Sequence, residues 1–137
     1  MPLISRWMIR LSLVYLLLGL TAGSLMLINK AWMVHPLLWA ALPAHIEWMI
    51  FGWIIQFTLG TAYWILPRFL DSKSRGNEPM AWTMLLSLNL GIWFIIADGF
   101  SLIPYAGLSG RVLETLGVVL FALLHWKRIV TYGDHEH

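Results

Sequence analysis

The residues of this chain that are best suited to chemistry are a histidine and three carboxylates placed beside long apolar runs. His45 lies near the start of PAHIEWMIFGWIIQFTLGTAYWILPRF, which is long enough to cross a bilayer. A histidine at membrane depth is costly unless it has a partner, so it is a candidate functional residue. Because haem iron commonly takes an imidazole as an axial ligand, His45 indicates a b-type haem site.

A stripe of small and polar residues follows His45 along the same run. Steps of seven, four, four and three residues place on one helical face His45, Gly52, Gln56, Gly60 and Tyr63. Such a face belongs inside a bundle, because lipid offers no hydrogen-bond partners. The glycines would make room either for a flat macrocycle or for a neighbouring helix. These residues alone therefore leave haem binding and a hydrogen-bonded packing histidine both open.

Three carboxylates are expected near the outer ends of apolar runs, at a depth similar to that of His45: Glu47, Asp98 and Glu114. Lys30 and Arg111 are close enough in depth to form ion pairs with some of them. A proton or quinol site is a second interpretation, because a carboxylate beside an imidazole can accept the protons that a quinol releases. A metal site made by protein groups alone is a third, although the carboxylate spacing is not a ligand motif.

Two further histidines are weaker alternative ligands. His35 lies in an outer loop and is the only other imidazole of the chain expected to be able to swing towards His45. His125 lies at the end of the fourth apolar run and is expected at the opposite membrane face from His45, so the two cannot bind one iron within a protomer. We expect His125 to be an interfacial side chain that extends towards water, with a second haem as the alternative. The tail GDHEH is predicted to be a solvated end.

Composition predicts an all-α integral membrane protein. The chain has 137 residues, is 59% hydrophobic and 12% charged, and has a mean hydropathy of +0.73, whereas soluble domains are about 45–50% apolar and about 25% charged. We predict a single four-helix bundle over 1–137, with spans at about 11–29, 44–66, 80–100 and 108–126. The absence of Cys excludes disulfides and thiolate ligands. The basic residues flank the apolar runs, so nucleic acid is not an expected partner.

The basic residues also predict the orientation. Seven of the nine lie on one side of the predicted spans, namely Arg6, Arg10, Arg68, Lys73, Arg75, Lys127 and Arg128. By the positive-inside rule, both termini and the 68–79 loop are then cytoplasmic, as in a protein of a prokaryotic inner membrane. Gly19 and Gly23 form a GxxxG pair, which predicts close helix packing within the bundle.

The stretch from His45 to Arg68 resembles the second transmembrane helix of haem–copper oxidase subunit I, in its nitric-oxide-reductase-like and cbb-type branches. The residues that carry the likeness are His45, Gly60 and the ending Tyr63-Trp64-Ile65-Leu66-Pro67. Fainter similarities link 10–23, 87–91 and 110–114 to the first, third and fourth helices of that family. The resemblance implies that His45 is an axial ligand of a low-spin haem.

The same resemblance implies what the chain lacks. The family's second low-spin ligand and its copper ligands lie on later helices, so no copper site is expected and the chain is not a complete oxidase. A sixth iron ligand would come from a second protomer, a partner subunit or His35, or would be missing.

The expected function is therefore that of a small subunit of a respiratory or other electron-transfer complex, passing electrons between the quinone pool and a periplasmic carrier. One alternative is a cofactor-free structural or assembly subunit, in which His45 bonds to a carboxylate such as Glu114. Another is a bacteriochlorophyll-binding protein, because His45 near Trp48 is a combination that can hold magnesium.

Overall fold

The computed structural model describes residues 1–66 and 76–133, with side chains omitted at 127, 128 and 130–133. The described chain is all-helical and contains α1 (Leu3–Trp32), α2 (Pro36–Ile65), α3 (Glu78–Gly99) and α4 (Ala106–Gly133). Each contains a stretch that is long and apolar enough to cross a membrane. The predicted all-α class and its four potential spans are therefore confirmed. Most of the predicted solvated loop and nearly all of the tail, at 67–75 and 134–137, lie outside the described residues.

All four helices start before the predicted apolar runs, and the first and fourth also end after them, because local hydrogen bonds rather than hydropathy set their ends. The first helix starts directly after Pro2, eight residues before the predicted span, and ends where Met33 is left-handed (φ 47°) and donates to the Asn29 carbonyl at 2.8 Å. The third helix starts after Asn77, whose side chain accepts from the Met80 N–H at 3.2 Å. Leu66 is extended, as expected for the residue before a proline.

The second helix changes its winding along its length. It begins with a 3₁₀ segment (Pro36–Ala41), continues as α-helix (Leu42–Glu47), becomes a π-helix (Trp48–Ile55) and returns to α-helix (Gln56–Ile65). A π-helix closes its hydrogen bonds over five residues instead of four and is rare, and it is found frequently at functional sites. The π segment therefore separates the His45 end of the helix from the Gln56 end.

The four helices pack as two hairpins. The first and second helices lie against each other, the third and fourth do the same, and α2 contacts α3 between them. The core between the hairpins contains fully buried apolar side chains, namely Met8, Met84, Leu88 and Ile92. The outer faces carry exposed Leu, Ile and Trp side chains, which is the surface that a helix presents to lipid.

Glycines of α1 allow its close approach to α2. A Cβ atom on Gly19 would lie 2.5 Å from the sulfur of Met49, and one on Gly23 would lie 2.8 Å from Cε1 of His45. Both distances are shorter than real contacts, so these positions require small residues or a shift of the partner. The predicted packing of the GxxxG pair within the bundle is confirmed, and it brings the His45 ring against α1.

The backbones of α3 and α4 contact each other directly, whereas α1 contacts α2 through side chains. A Cβ atom on Gly91 would lie 2.8 Å from the Gly110 carbonyl oxygen, and one on Gly110 would lie 2.8 Å from the Gly91 carbonyl oxygen. Small residues at such crossings are typical of helices packed in membranes. This crossing places Glu114, one turn further along α4, against α3.

The substitution Gly91→Ala is expected to destabilise the protein by about 1–3 kcal/mol, the usual cost of forcing a methyl group into a packed site. The obstacle is the rigid Gly110 backbone, so the helices must separate. Gly19→Ala is the matched control, because there the obstacle is the flexible end of Met49. Thermal unfolding in detergent, followed by circular dichroism, measures both. Equal losses in the two variants would contradict the backbone contact.

Candidate functional site

The protonation of His45 follows from its hydrogen bond. Its Nδ1 lies 2.7 Å from the backbone carbonyl oxygen of Gly19. A carbonyl can only accept, so Nδ1 carries the proton and donates it, and in the neutral ring Nε2 keeps its lone pair. Within the described residues Nε2 has no hydrogen-bond partner. Histidines that bind metals commonly have this arrangement, with one ring nitrogen donating to a carbonyl and the other free to coordinate.

The half-buried His45 ring lines a groove between α1 and α2. The groove has a volume of about 420 Å³, is open on one side and has almost entirely apolar walls, to which Leu20, Leu27, Trp39 and Leu42 contribute. An apolar wall with a small number of polar groups is typical of a cofactor site. These residues fit one face of a macrocycle held through Nε2, and the groove offers no second imidazole for the other face.

The other residues of the predicted stripe face inward but do not line this groove. A Cβ atom on Gly52 would lie 2.5 Å from the Tyr15 ring, and one on Gly60 would lie 2.7 Å from Cβ of Met8. Side chains of α1 thus fill the space beside both glycines. The inward orientation predicted for the stripe is confirmed, while a haem-binding role for Gly52 remains a prediction.

Gln56 belongs instead to a polar network at the centre of the bundle. Its Nε2 donates to the Met8 carbonyl at 3.3 Å, and its Oε1 accepts from Asn89 Nδ2 at 2.9 Å. The Tyr15 hydroxyl donates to Asn89 Oδ1 at 2.7 Å. The network joins α1, α2 and α3 and satisfies groups that would be costly to leave alone in an apolar interior. Our sequence reasoning missed Asn89, although an amide within an apolar run was a usable signal.

Two of the three candidate carboxylates meet on one guanidinium. Arg111 donates from both terminal nitrogens to Glu47, at 2.9 and 3.0 Å, and from Nη1 also to Glu114 at 2.8 Å. Glu47 and Glu114 are only 1% and 2% exposed. The guanidinium carbon also lies 5.1 Å from the centre of the Phe51 ring, a cation–π contact. The predicted ion pairing with Arg111 is therefore confirmed, and the three charged residues form what we call the Arg111 triad.

Asp98 and His45 are not part of the Arg111 triad. Asp98 is exposed at the end of α3 and lies against Gly107 in the first turn of α4. The prediction that His45 would bond to Glu114 in a structural subunit is wrong. His45 bonds to the Gly19 carbonyl of α1, while Glu114 bonds to Arg111. Two residues of α-helix turn through about 200°, so His45 and Glu47 occupy opposite sides of α2.

His35 bonds locally at the start of α2. Its Nδ1 accepts from the Leu37 N–H at 3.2 Å, and its own backbone N–H donates to the Asn29 side chain at 2.7 Å. This arrangement caps the 3₁₀ segment that begins at Pro36. In the structure, His35 is thus engaged with its own loop and not with His45.

His125 is inside the bundle. It is 2% exposed, its Nδ1 lies 2.8 Å from the Phe121 carbonyl, and its ring meets Tyr63 edge-on with 5.5 Å between centroids. The prediction of an interfacial, water-reaching side chain is wrong, because His125 packs between aromatic rings of α2 and α4. Tyr63 and His45 lie at opposite ends of α2, which confirms that His45 and His125 cannot share one iron within a protomer.

Fold and site together define an all-helical protein with four potential membrane spans and one imidazole on an apolar groove. Comparison with protein-family models, with curated proteins and with solved structures finds no match to the chain. In the described part of the chain, His, Asp and Glu side chains do not gather in threes as a metal site. The likeness of 45–68 to an oxidase helix remains a prediction.

Proposed function

We propose that the protein is a small electron-transfer subunit of a respiratory membrane complex, in which His45 is an axial ligand of a b-type haem. The observation that carries this proposal is the Nδ1–H bond to Gly19, which leaves the Nε2 lone pair beside an apolar groove. When bound, the haem supplies one-electron redox chemistry. The chain supplies the ligand, its orientation and a site of low polarity.

Gly19 and Gly23 position the imidazole. The hydrogen bond to the Gly19 carbonyl holds the ring plane and the tautomer, as outer partners of metal-binding histidines do. Gly23 leaves space for the ring, since a Cβ atom there would lie 2.8 Å from Cε1. Both residues therefore act through His45 as positioning residues.

The open side of the groove supports a shared haem. A second copy related by a two-fold axis would present its own His45 to the opposite face, because a two-fold interface uses the same patch on both subunits. The proposal is thus a homodimer that binds one haem between two identical grooves, with two imidazole ligands. Gln56 and Tyr63 are buried further along α2 and do not line the groove, so the shared site rests on His45 alone.

The proposed location is a prokaryotic inner membrane with both termini in the cytoplasm. The support is the distribution of Lys and Arg. Arg111, one of two basic residues on the outer side, is paired with Glu47 and Glu114, which leaves Lys30 as the main outer charge. In this orientation His45 lies on the side of a periplasmic electron carrier. Glu47, Asp98 and Glu114 lie at a similar depth, where protons and a quinone can reach them.

A cofactor-free structural subunit is the second candidate, and one observation favours it. The bond between His45 and Gly19 ties α1 to α2 whether or not a metal is present. The groove would then be covered by a partner subunit instead of a haem. The two candidates differ in colour, because only the first absorbs visible light.

A reduced-minus-oxidised visible spectrum of the purified full chain, with a pyridine haemochrome assay, tests the proposal. The protein is produced in cells supplied with the haem precursor 5-aminolevulinate. We expect the α-band of a b-type haem at one haem per two chains. One haem per chain would reject the shared site, and a colourless protein would favour the structural subunit. Near-infrared absorption would indicate bacteriochlorophyll instead.

A further inference from the structure

The Arg111 triad contains one more acidic group than basic group. Glu47 and Glu114 contribute two carboxyl groups, and Arg111 contributes one guanidinium. Both carboxyl groups are almost completely buried. An uncompensated charge in such surroundings is costly, so a bound cation that neutralises the excess negative charge would stabilise the site.

The hydrogen bonds identify the atom that lacks a partner. Glu47 uses both of its oxygens on Arg111, and Glu114 uses Oε2. Oε1 of Glu114 is buried and has no hydrogen-bond partner within the described chain. The carboxyl groups of Glu114 and Glu47 lie side by side, because both accept from Nη1 of Arg111, at 2.8 and 2.9 Å. Two carboxylates cannot bond to each other, because both only accept.

A proton fits this geometry better than a metal ion does. Hard metal cations take several oxygen ligands, whereas three of the four carboxyl oxygens here are already bonded to Arg111. A single proton needs only one oxygen to carry it and one to accept it. It also removes the excess charge, and buried carboxyl pairs commonly share one proton in this way.

Among the residues that the structure describes, the ion pairs of the Arg111 triad join its own three members. The third helix presents Gly91, against which Glu114 Cγ packs, and its Asp98 lies against Gly107 instead. Arg111 is the charged group of α4 that faces the carboxyl pair. Glu114 and Arg111 line an open, mostly apolar groove of about 240 Å³ together with Phe51, Thr115, Val118 and Val119. The Arg111 side chain is 51% exposed, so the proton can leave along the guanidinium.

We propose that Glu47 and Glu114 share one exchangeable proton, carried as an O–H on Glu114, and that the Arg111 triad is a proton-binding site. Release converts the Glu114 carboxyl group to a carboxylate and transfers the proton to water that reaches the half-exposed Arg111 side chain; uptake is the reverse. The inference deepens the proposed function, because the site lies across α2 from His45 and would take a proton from a quinol. The site itself does not require haem.

Infrared spectroscopy of the full chain in detergent, at neutral pH, tests the site. We expect the wild type to show the C=O stretching band of a protonated carboxyl group, shifted to lower frequency in D₂O. The band should be lost in Glu114→Gln and also in Glu47→Gln, because either change removes the excess negative charge. Asp98→Asn is the matched control, since it removes a carboxyl group outside the triad, and it should keep the band.

The outcomes separate this inference from the haem proposal. A wild type without the band, or a band that survives in both glutamine variants, overturns the proton site. A colourless protein that shows the band and loses it as described retains the proton site and rejects the electron-transfer function. A protein that binds haem but lacks the infrared band retains the electron-transfer function and rejects the proton site. If one glutamine variant does not fold, the other tests the same expectation.

Discussion

The substitution His45→Ala is expected to abolish the haem Soret band without preventing membrane insertion. Alanine removes the imidazole from the wall of the groove, while the apolar spans that drive insertion remain. The loss of the bond to Gly19 costs only about 0.5–1.5 kcal/mol, so the fold should survive. The measurement is the haem-to-protein ratio of the purified variant, together with its yield from the membrane fraction.

Two further variants separate a ligand from a packing residue. His45→Asn keeps a side-chain N–H for the Gly19 carbonyl but is a poor iron ligand, so it should fold and remain colourless. His35→Ala removes an imidazole that bonds within its own loop, and it should keep full haem content. Haem retained at the wild-type ratio in His45→Ala would rule out the assignment.

The substitution Arg111→Met is expected to cause the largest loss of stability, about 3–5 kcal/mol, because it removes the partner of buried charged groups. Glu47 would lose both of its hydrogen bonds to the guanidinium, and Glu114 would lose its single one. Unfolding by a denaturing detergent, followed by tryptophan fluorescence, measures the change. The chain contains nine Trp residues for this signal.

Neutralising the carboxyl groups should reverse most of this loss. Arg111→Met combined with Glu47→Gln and Glu114→Gln contains no charge in the triad, so nothing buried remains uncompensated. Arg6→Met, which removes an exposed arginine near the start of α1, is the control and should change stability by a few tenths of a kcal/mol. A triple variant as unstable as the single one would mean that Arg111 acts through packing against Phe51 and not through charge.

The sequence predicted the helices well and their ends less well. Long apolar runs predict membrane-type helices directly, but the first turns of α1 contain Arg6 and Arg10, which lower the local hydropathy without preventing helix formation. The real limits depend on hydrogen bonds at Asn29 and Asn77. Such bonds involve side chains whose neighbours are known only after folding.

For the candidate site, the sequence predicted how deep each residue lies in the membrane but not which way its side chain points. Counting residues placed His45, Glu47, Asp98 and Glu114 at similar depth, and the structure brings Glu47 and Glu114 together on Arg111. Which way each side chain points depends on how the helices are rotated against one another. That rotation is set by contacts such as Gly91 against Gly110, and a single sequence does not reveal it.

The π-helical stretch from Trp48 to Ile55 has a consequence for how this helix can vary among related chains. A π-helical turn contains one residue more than an α-helical turn, so it is equivalent to a one-residue insertion into an α-helix. The helix accommodates this insertion while the hydrogen bonds on either side of it are kept. Before this stretch His45 hydrogen-bonds to the Gly19 carbonyl, and after it Gln56 hydrogen-bonds to the Met8 carbonyl; these two bonds anchor α2 to α1. A relative with one residue fewer between these anchors should simply wind as α-helix there. Single-residue length differences in α2 are therefore expected in this stretch before anywhere else.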